Sequence, residues 1–168
     1  MMSTVQENPK LLGYLEKSKK FVLRGDYPEA FSVLKKALKI TNNNEHKLVV
    51  IQGLVKCMAE IGKIEPLRYY LEMLVEYDCS FENAQGLVDL YVKLENETKF
   101  DKLEEKVAQI EIKDDEDKVK LIAFLTSIKK YEKADVLADE ILNEDICPDS
   151  FAVPALELYK KTKTPKNL

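Results

Sequence analysis

Four stretches of this chain share one spacing of apolar residues, and that recurrence constrains the fold more than any other feature. In LRGDYPEAFSVLKKALKI, residues 23–40, a turn at Gly25 and Tyr27 is followed by Ala30, Leu34 and Ala37 on one helical stripe. The pattern returns as Ile64, Leu67, Leu71 and Leu74, as Phe100, Leu103, Val107 and Ile110, and as Tyr131, Ala134, Ala138 and Ile141. The anchors Tyr27, Ile64, Phe100 and Tyr131 stand 37, 36 and 31 residues apart, the length of one helical hairpin. Each anchor follows a second apolar helix, whose matching positions are Ser18 and Phe21, Val55 and Met58, Val88 and Tyr91, and Ile122 and Leu125. Neither helix of such a pair can bury its stripe alone, so neighbouring hairpins have to stack. The predicted fold is an all-α, right-handed solenoid of about four antiparallel helical hairpins with a C-terminal helix. A chain with only 5 Gly, no Trp and an abundance of Leu, Lys, Glu and Ala agrees with helices.

The breaks between hairpins carry helix-start chemistry. TNNNEHK at 41–47, DCSFEN at 78–83 and IKDDEDK at 112–118 are polar and supply Asn, Ser or Asp as caps. After the fourth hairpin, DSFAVPALELYKK reads as a further helix with Phe151, Leu156 and Tyr159 over the open end of the stack and Pro154 in its first turn. The expected organisation is a flexible N-terminus at 1–9, a helical-repeat domain at 10–160 and a basic tail at 161–168.

The first hairpin resembles a tetratricopeptide repeat. Tyr14, Ser18 and Phe21, then Gly25, Tyr27, Ala30, Leu34 and Ala37, take that family's small, aromatic and apolar positions in register. The later repeats are degenerate: the second keeps Gly62 but has Ile64 and Leu67, the third carries an apparent insertion, ENETK, before Phe100, and the fourth has Lys118 at a usually apolar position. Two junctions, Cys147-Pro148-Asp149-Ser150-Phe151 among them, resemble instead those of pentatricopeptide repeats, which share the hairpin stack but bind single-stranded RNA in organelles. The first resemblance implies a protein partner and the second an RNA. Residues 57–159 hold twelve Lys or Arg against twenty-five acids, and an acidic body opposes the counterion release that drives extended RNA binding. Residues 1–56 hold ten bases against five acids, so a local site on the first hairpin stays open.

The tetratricopeptide register implies that the leading helices line a groove. It places there Leu15, Lys19 and Val22; Gln52, Lys56 and Ala59; Glu82, Gln85, Asp89 and Val92; and Val119, Ala123 and Thr126. Members of that family that capture acidic chaperone tails use Lys, Arg and Asn across the first three leading helices. Here the corresponding first-helix positions are Leu15 and Lys19, and the second-helix Asn position is Gly53, which speaks against that clamp. Lys19 and Lys56 at one end and Glu82 and Asp89 further along suit an extended or helical peptide of opposite charge polarity, with ordinary solvated charges as the competing account. On the second trailing helix, Leu67, Leu71 and Leu74 take the core face, leaving Arg68, Tyr69 and Tyr77 outward, residue types enriched at interface hot spots. The partner-binding candidates are therefore Lys19, Gln52, Lys56, Gln85, Asp89, Arg68 and Tyr69.

Catalytic signatures are missing from the sequence. His46, the single histidine, is assigned to an Asn-rich linker, and no Gly-rich phosphate loop or nucleophile motif occurs. The expectation is a non-enzymatic adaptor or scaffold subunit with no cofactor, no metal and no small-molecule substrate. Asp114 to Asp117 lack the Gly and distal Glu of a calcium loop, and Cys57, Cys79 and Cys147 are too dispersed for a zinc knuckle. No apolar run reaches the roughly 20 residues of a membrane span. MMSTVQENPK carries neither a signal-peptide core nor transit-peptide character, so cytoplasm or nucleus is the expected location, with an organelle left open.

Overall fold

The computed structural model describes residues 8–144 and 147–162. All regular structure among them is helical: α1 Pro9–Leu23, α2 Tyr27–Ile40, α3 Asn44–Ile61, α4 Ile64–Tyr77, α5 Phe81–Lys93, α6 Phe100–Val107, α7 Asp115–Ser127, α8 Tyr131–Leu142 and α9 Ala152–Thr162. The first seven residues and the final six of the expected tail lie outside the described residues; Pro9 opens α1, and Lys161 and Thr162 complete α9. Each anchor of the repeating pattern, Tyr27, Ile64, Phe100 and Tyr131, is the first residue of a trailing helix.

The same turn joins both helices in all four hairpins. The backbone N–H of Asp26, Lys63, Asn96 and Lys130 donates to the carbonyl of Phe21, Met58, Tyr91 and Leu125 at 2.9, 3.2, 2.8 and 2.8 Å. The residue before each donor is left-handed: Gly25 at φ +78°, Gly62 at +75°, Glu95 at +52° and Lys129 at +65°. That is the Schellman way of ending a helix, which satisfies its orphan carbonyls. The anchor is the second residue after the left-handed position in three hairpins, but Phe100 is the fifth after Glu95. The extra residues, Glu97–Lys99, form a 3-10 turn, which locates the insertion read in the sequence.

A side chain in the left-handed region costs about 1–2 kcal/mol relative to glycine, part of which glycine returns through its freer unfolded chain. Glu95→Gly is therefore expected to raise stability by about 0.5–1 kcal/mol. The urea midpoint reads this directly, and an unchanged or lowered midpoint would contradict the turn.

The predicted caps form. Asn43 accepts from the N–H of Glu45 and His46, Ser80 from that of Asn83, and Asp114 from that of Asp117. His46 thus lies in the first turn of α3 and not in a linker. Asp117 reciprocates by accepting from the Lys113 N–H at 3.1 Å, so the acidic run serves as a helix start.

The chain divides into two compact units, residues 1–78 and 79–168. In the first, Ala30, Leu34 and Ala37 of α2 are buried with Val50, Leu54, Cys57 and Met58 of α3, and Leu11, Phe21 and Val22 of α1 pack against them. Tyr70 of α4 joins this cluster, its ring edge-on to Phe31 at 5.7 Å. Ile64 departs from the pattern, 41% exposed where Phe100 is 5% exposed. In the second unit Val88, Ile122, Phe124, Ala134, Ala138 and Ile141 are almost wholly buried.

The C-terminal helix buries a different stripe from the one expected. Phe151 is inward at 1%, but Leu156 and Tyr159 are exposed at 43% and 37%, while Ala155 and Leu158 are buried. The 3-10 turn Asp149–Phe151 points Phe151 into the core, and from there the helical period brings 155 and 158 to the same face.

Candidate functional site

In the first unit, three predicted groove residues are free of the core. Lys19 on α1, and Gln52 and Lys56 on α3, are exposed. Behind Lys56, burial raises the Cys57 thiol above its ordinary pKa, which the Lys56 charge partly opposes, so this thiol stays protonated and inert. Gly53 is not a groove position. A Cβ built on it would stand 2.9 Å from Leu34 Cδ1, so α3 meets α2 closely at this point. A clamp-type Asn there would point into packing.

The candidates on α4 are partly engaged. Arg68 donates from Nε and Nη2 to Glu65 at 3.0 and 2.9 Å, and from Nη1 to Glu72 at 2.9 Å. These carboxylates, Glu65 first, raise the guanidinium pKa and fix it along its own helix. Tyr69 is 54% exposed, its ring edge-on to the buried Tyr70 at 5.1 Å. Tyr69 offers an outward aromatic surface, whereas Arg68 is a half-buried brace.

The second unit forms a concavity of about 440 Å³ on its leading-helix side. Val92 of α5, Ala123 and Thr126 of α7, all predicted groove positions, line it together with Ser127. The opposite wall is α9, through Val153, Pro154, Glu157 and Lys161, and Glu97, Lys129 and Tyr131 close one end. Sequence reasoning missed this wall because it treated α9 as a cap alone. Gln85 and Asp89 sit beside the concavity on α5. Gln85 Nε2 donates to Ser127 Oγ at 3.1 Å and to Asp89 Oδ1 at 3.3 Å, bracing α5 against α7. The hydroxyls of Thr126 and Ser127 also donate to the carbonyls of Ile122 and Ala123, each at 2.8 Å.

Two ion pairs lie around the concavity, while Lys161 of its lining forms none among the described residues. Lys129 contacts Glu97 at 2.6 Å, and Lys160 contacts Glu157 at 2.9 Å. Nearby, Lys130 bridges Asp101 at 2.7 Å and Glu104 at 3.4 Å, and its hydrogen bond holds the Asp101 carboxyl below the usual carboxylate range. Two apolar side chains lining the concavity, Val92 at 50% and Val153 at 70%, are exposed beside the charged Glu157 and Lys161. No His or Cys lines it. Such a surface can hold a polypeptide, with apolar contacts at its centre and paired charges at its rim.

A second cleft, of about 370 Å³, opens between α6, α7 and α8. The pattern predicted a trailing helix running to Ile110, but α6 has 8 residues against 14 in α2 and α4 and 12 in α8. Its early end at Val107 leaves Leu121, Leu137 and Val136 uncovered. Glu104 of α6 and Lys133 of α8 form an ion pair at its rim.

Comparison with solved structures settles the fold. A tetratricopeptide repeat protein from Parabacteroides merdae superposes with a TM-score of 0.66 at 17% identity, over 93% of this chain and 61% of that one. The chain has a tetratricopeptide-like helical-repeat fold. A putative kinesin light chain from Podosopora anserina with TPR-like repeats gives a TM-score of 0.55 at 14% identity, over 94% of this chain and 88% of that one. No family model and no curated protein matches the sequence. No helix among the described residues is long and apolar enough to cross a membrane.

Proposed function

We propose that this protein is a non-enzymatic adaptor or scaffold subunit that holds a peptide or helix of another protein against its leading helices. The observation that carries this reading is the concavity of the second unit, where Val92 and Val153 stay exposed although apolar and Lys129 is paired with Glu97. Apolar side chains left open at the centre of a concave wall gain by being covered, and each covered residue of this size contributes about 1.5–3 kcal/mol. Paired rim charges supply orientation more than affinity. The first unit, taken by itself, offers Lys19, Gln52 and Lys56 as exposed polar side chains on its leading helices.

The test is affinity purification from the native cell with the wild-type chain and a Val92→Asp, Val153→Asp variant, each with and without nuclease. Both residues are exposed, so the variant keeps its fold, which circular dichroism checks. Protein partners that survive nuclease and are lost from the variant are the expected result. Partners that depend on intact RNA, or that bind the variant equally, would overturn the reading.

A further inference from the structure

The first helix carries a line of cations that form no ion pair among the described residues. Lys10, Lys17, Lys20 and Arg24 are all exposed. At 100° per residue they fall within about 80° of arc on α1. None forms an ion pair among the described residues, whereas six lysines between Lys118 and Lys160 do. The only acid on α1 is Glu16, four residues before Lys20 and about 40° outside the line, and it forms no ion pair among the described residues. Like charges three and four residues apart oppose a helix, so Lys17, Lys20 and Arg24 oppose α1 unless an anion sits across them.

The neighbouring surface narrows the kind of anion. Leu23 and Leu12 flank the line on the same solvent side, 77% and 37% exposed. Phe21, beneath the Lys17 ammonium at 5.8 Å, and Tyr14 are both half-buried, so neither ring of α1 offers the open face that single-strand binders use to stack a base. The chain's net charge of −4 also disfavours a long polyanion. We propose that this edge of α1 docks an acidic polypeptide segment of a partner protein, its carboxylates facing Lys10, Lys17, Lys20 and Arg24 and its apolar side chains against Leu23. This surface is separate from the leading-helix concavity of the second unit, so either can fail without the other.

The probe is a fluorescein-labelled peptide of mixed Glu and Leu, titrated by anisotropy against the full chain. Saturable binding that weakens with added salt is expected. A K10E, K17E, K20E, R24E variant should lose about tenfold or more in affinity. The corresponding four-fold Gln variant should lose affinity too while avoiding any strain from reversed charge. Wild-type affinity in a folded variant, no saturable binding of the peptide, or tighter binding of poly(U) RNA or phosphatidylserine vesicles than of the peptide would each overturn the proposal.

Discussion

Phe151→Ala is expected to lower stability by about 3–5 kcal/mol, the largest single loss that the structure implies. Phe151 is 1% exposed, and it is the residue through which the segment after α8 enters the core. Ala155 and Leu158 then lie one and two turns further along the same stripe, so removing the ring leaves a cavity at the root of α9. A thermal melt should record the loss at roughly 2–4 °C per kcal/mol for a chain of this size. A change below about 1 kcal/mol would mean that α9 is not integral to the second unit, and the concavity for which it supplies a wall would lose its support.

Gly53→Leu is expected to cost about 1–3 kcal/mol by overpacking. A glycine in a helix interior normally costs about 1 kcal/mol relative to alanine, so its presence in the middle of α3 needs a packing reason. Leu34 supplies it, 4% exposed and 2.9 Å from where a Cβ would stand. Gly53→Ala should be nearly neutral, since the helix gain offsets a small shift of the Leu34 methyl groups. Urea unfolding of both variants checks this, and a stabilised Gly53→Leu would show that α2 and α3 do not meet there.

Much of the fold was legible because the hairpin turn fixes the chain locally. Gly25 and Gly62 advertise a left-handed residue, and the anchors Tyr27 and Ile64 follow two positions later. Glu95 and Lys129 occupy the same conformation without a glycine to mark it, so only the recurring stripe revealed those turns. Helix length was harder to read. The apolar residue Ile110 suggested that α6 continued, while the insertion before Phe100 and the break before Asp114 confined it to 8 residues and opened a cleft.

The site was legible only as a set of exposed positions. Lys19, Gln52 and Lys56 stand free as the register implied, because exposure on a helix follows from the period alone. What neighbours do to a side chain does not follow from the period. Gln85 is tied to Ser127, 42 residues away, and Arg68 is held between Glu65 and Glu72. The inward phase of α9, which makes Val153 part of a wall, depends on a 3-10 turn that no residue pattern announced.

The most direct measurement is site-specific photo-crosslinking in the native cell, with a benzophenone side chain placed at Val92 in one preparation and at Val136 in another. Val92 lies in the leading-helix concavity, and Val136 lines the cleft between α6 and α8. The account predicts a defined protein adduct from position 92 and none from position 136. An adduct from position 136 alone, or an RNA adduct from position 92, would contradict it.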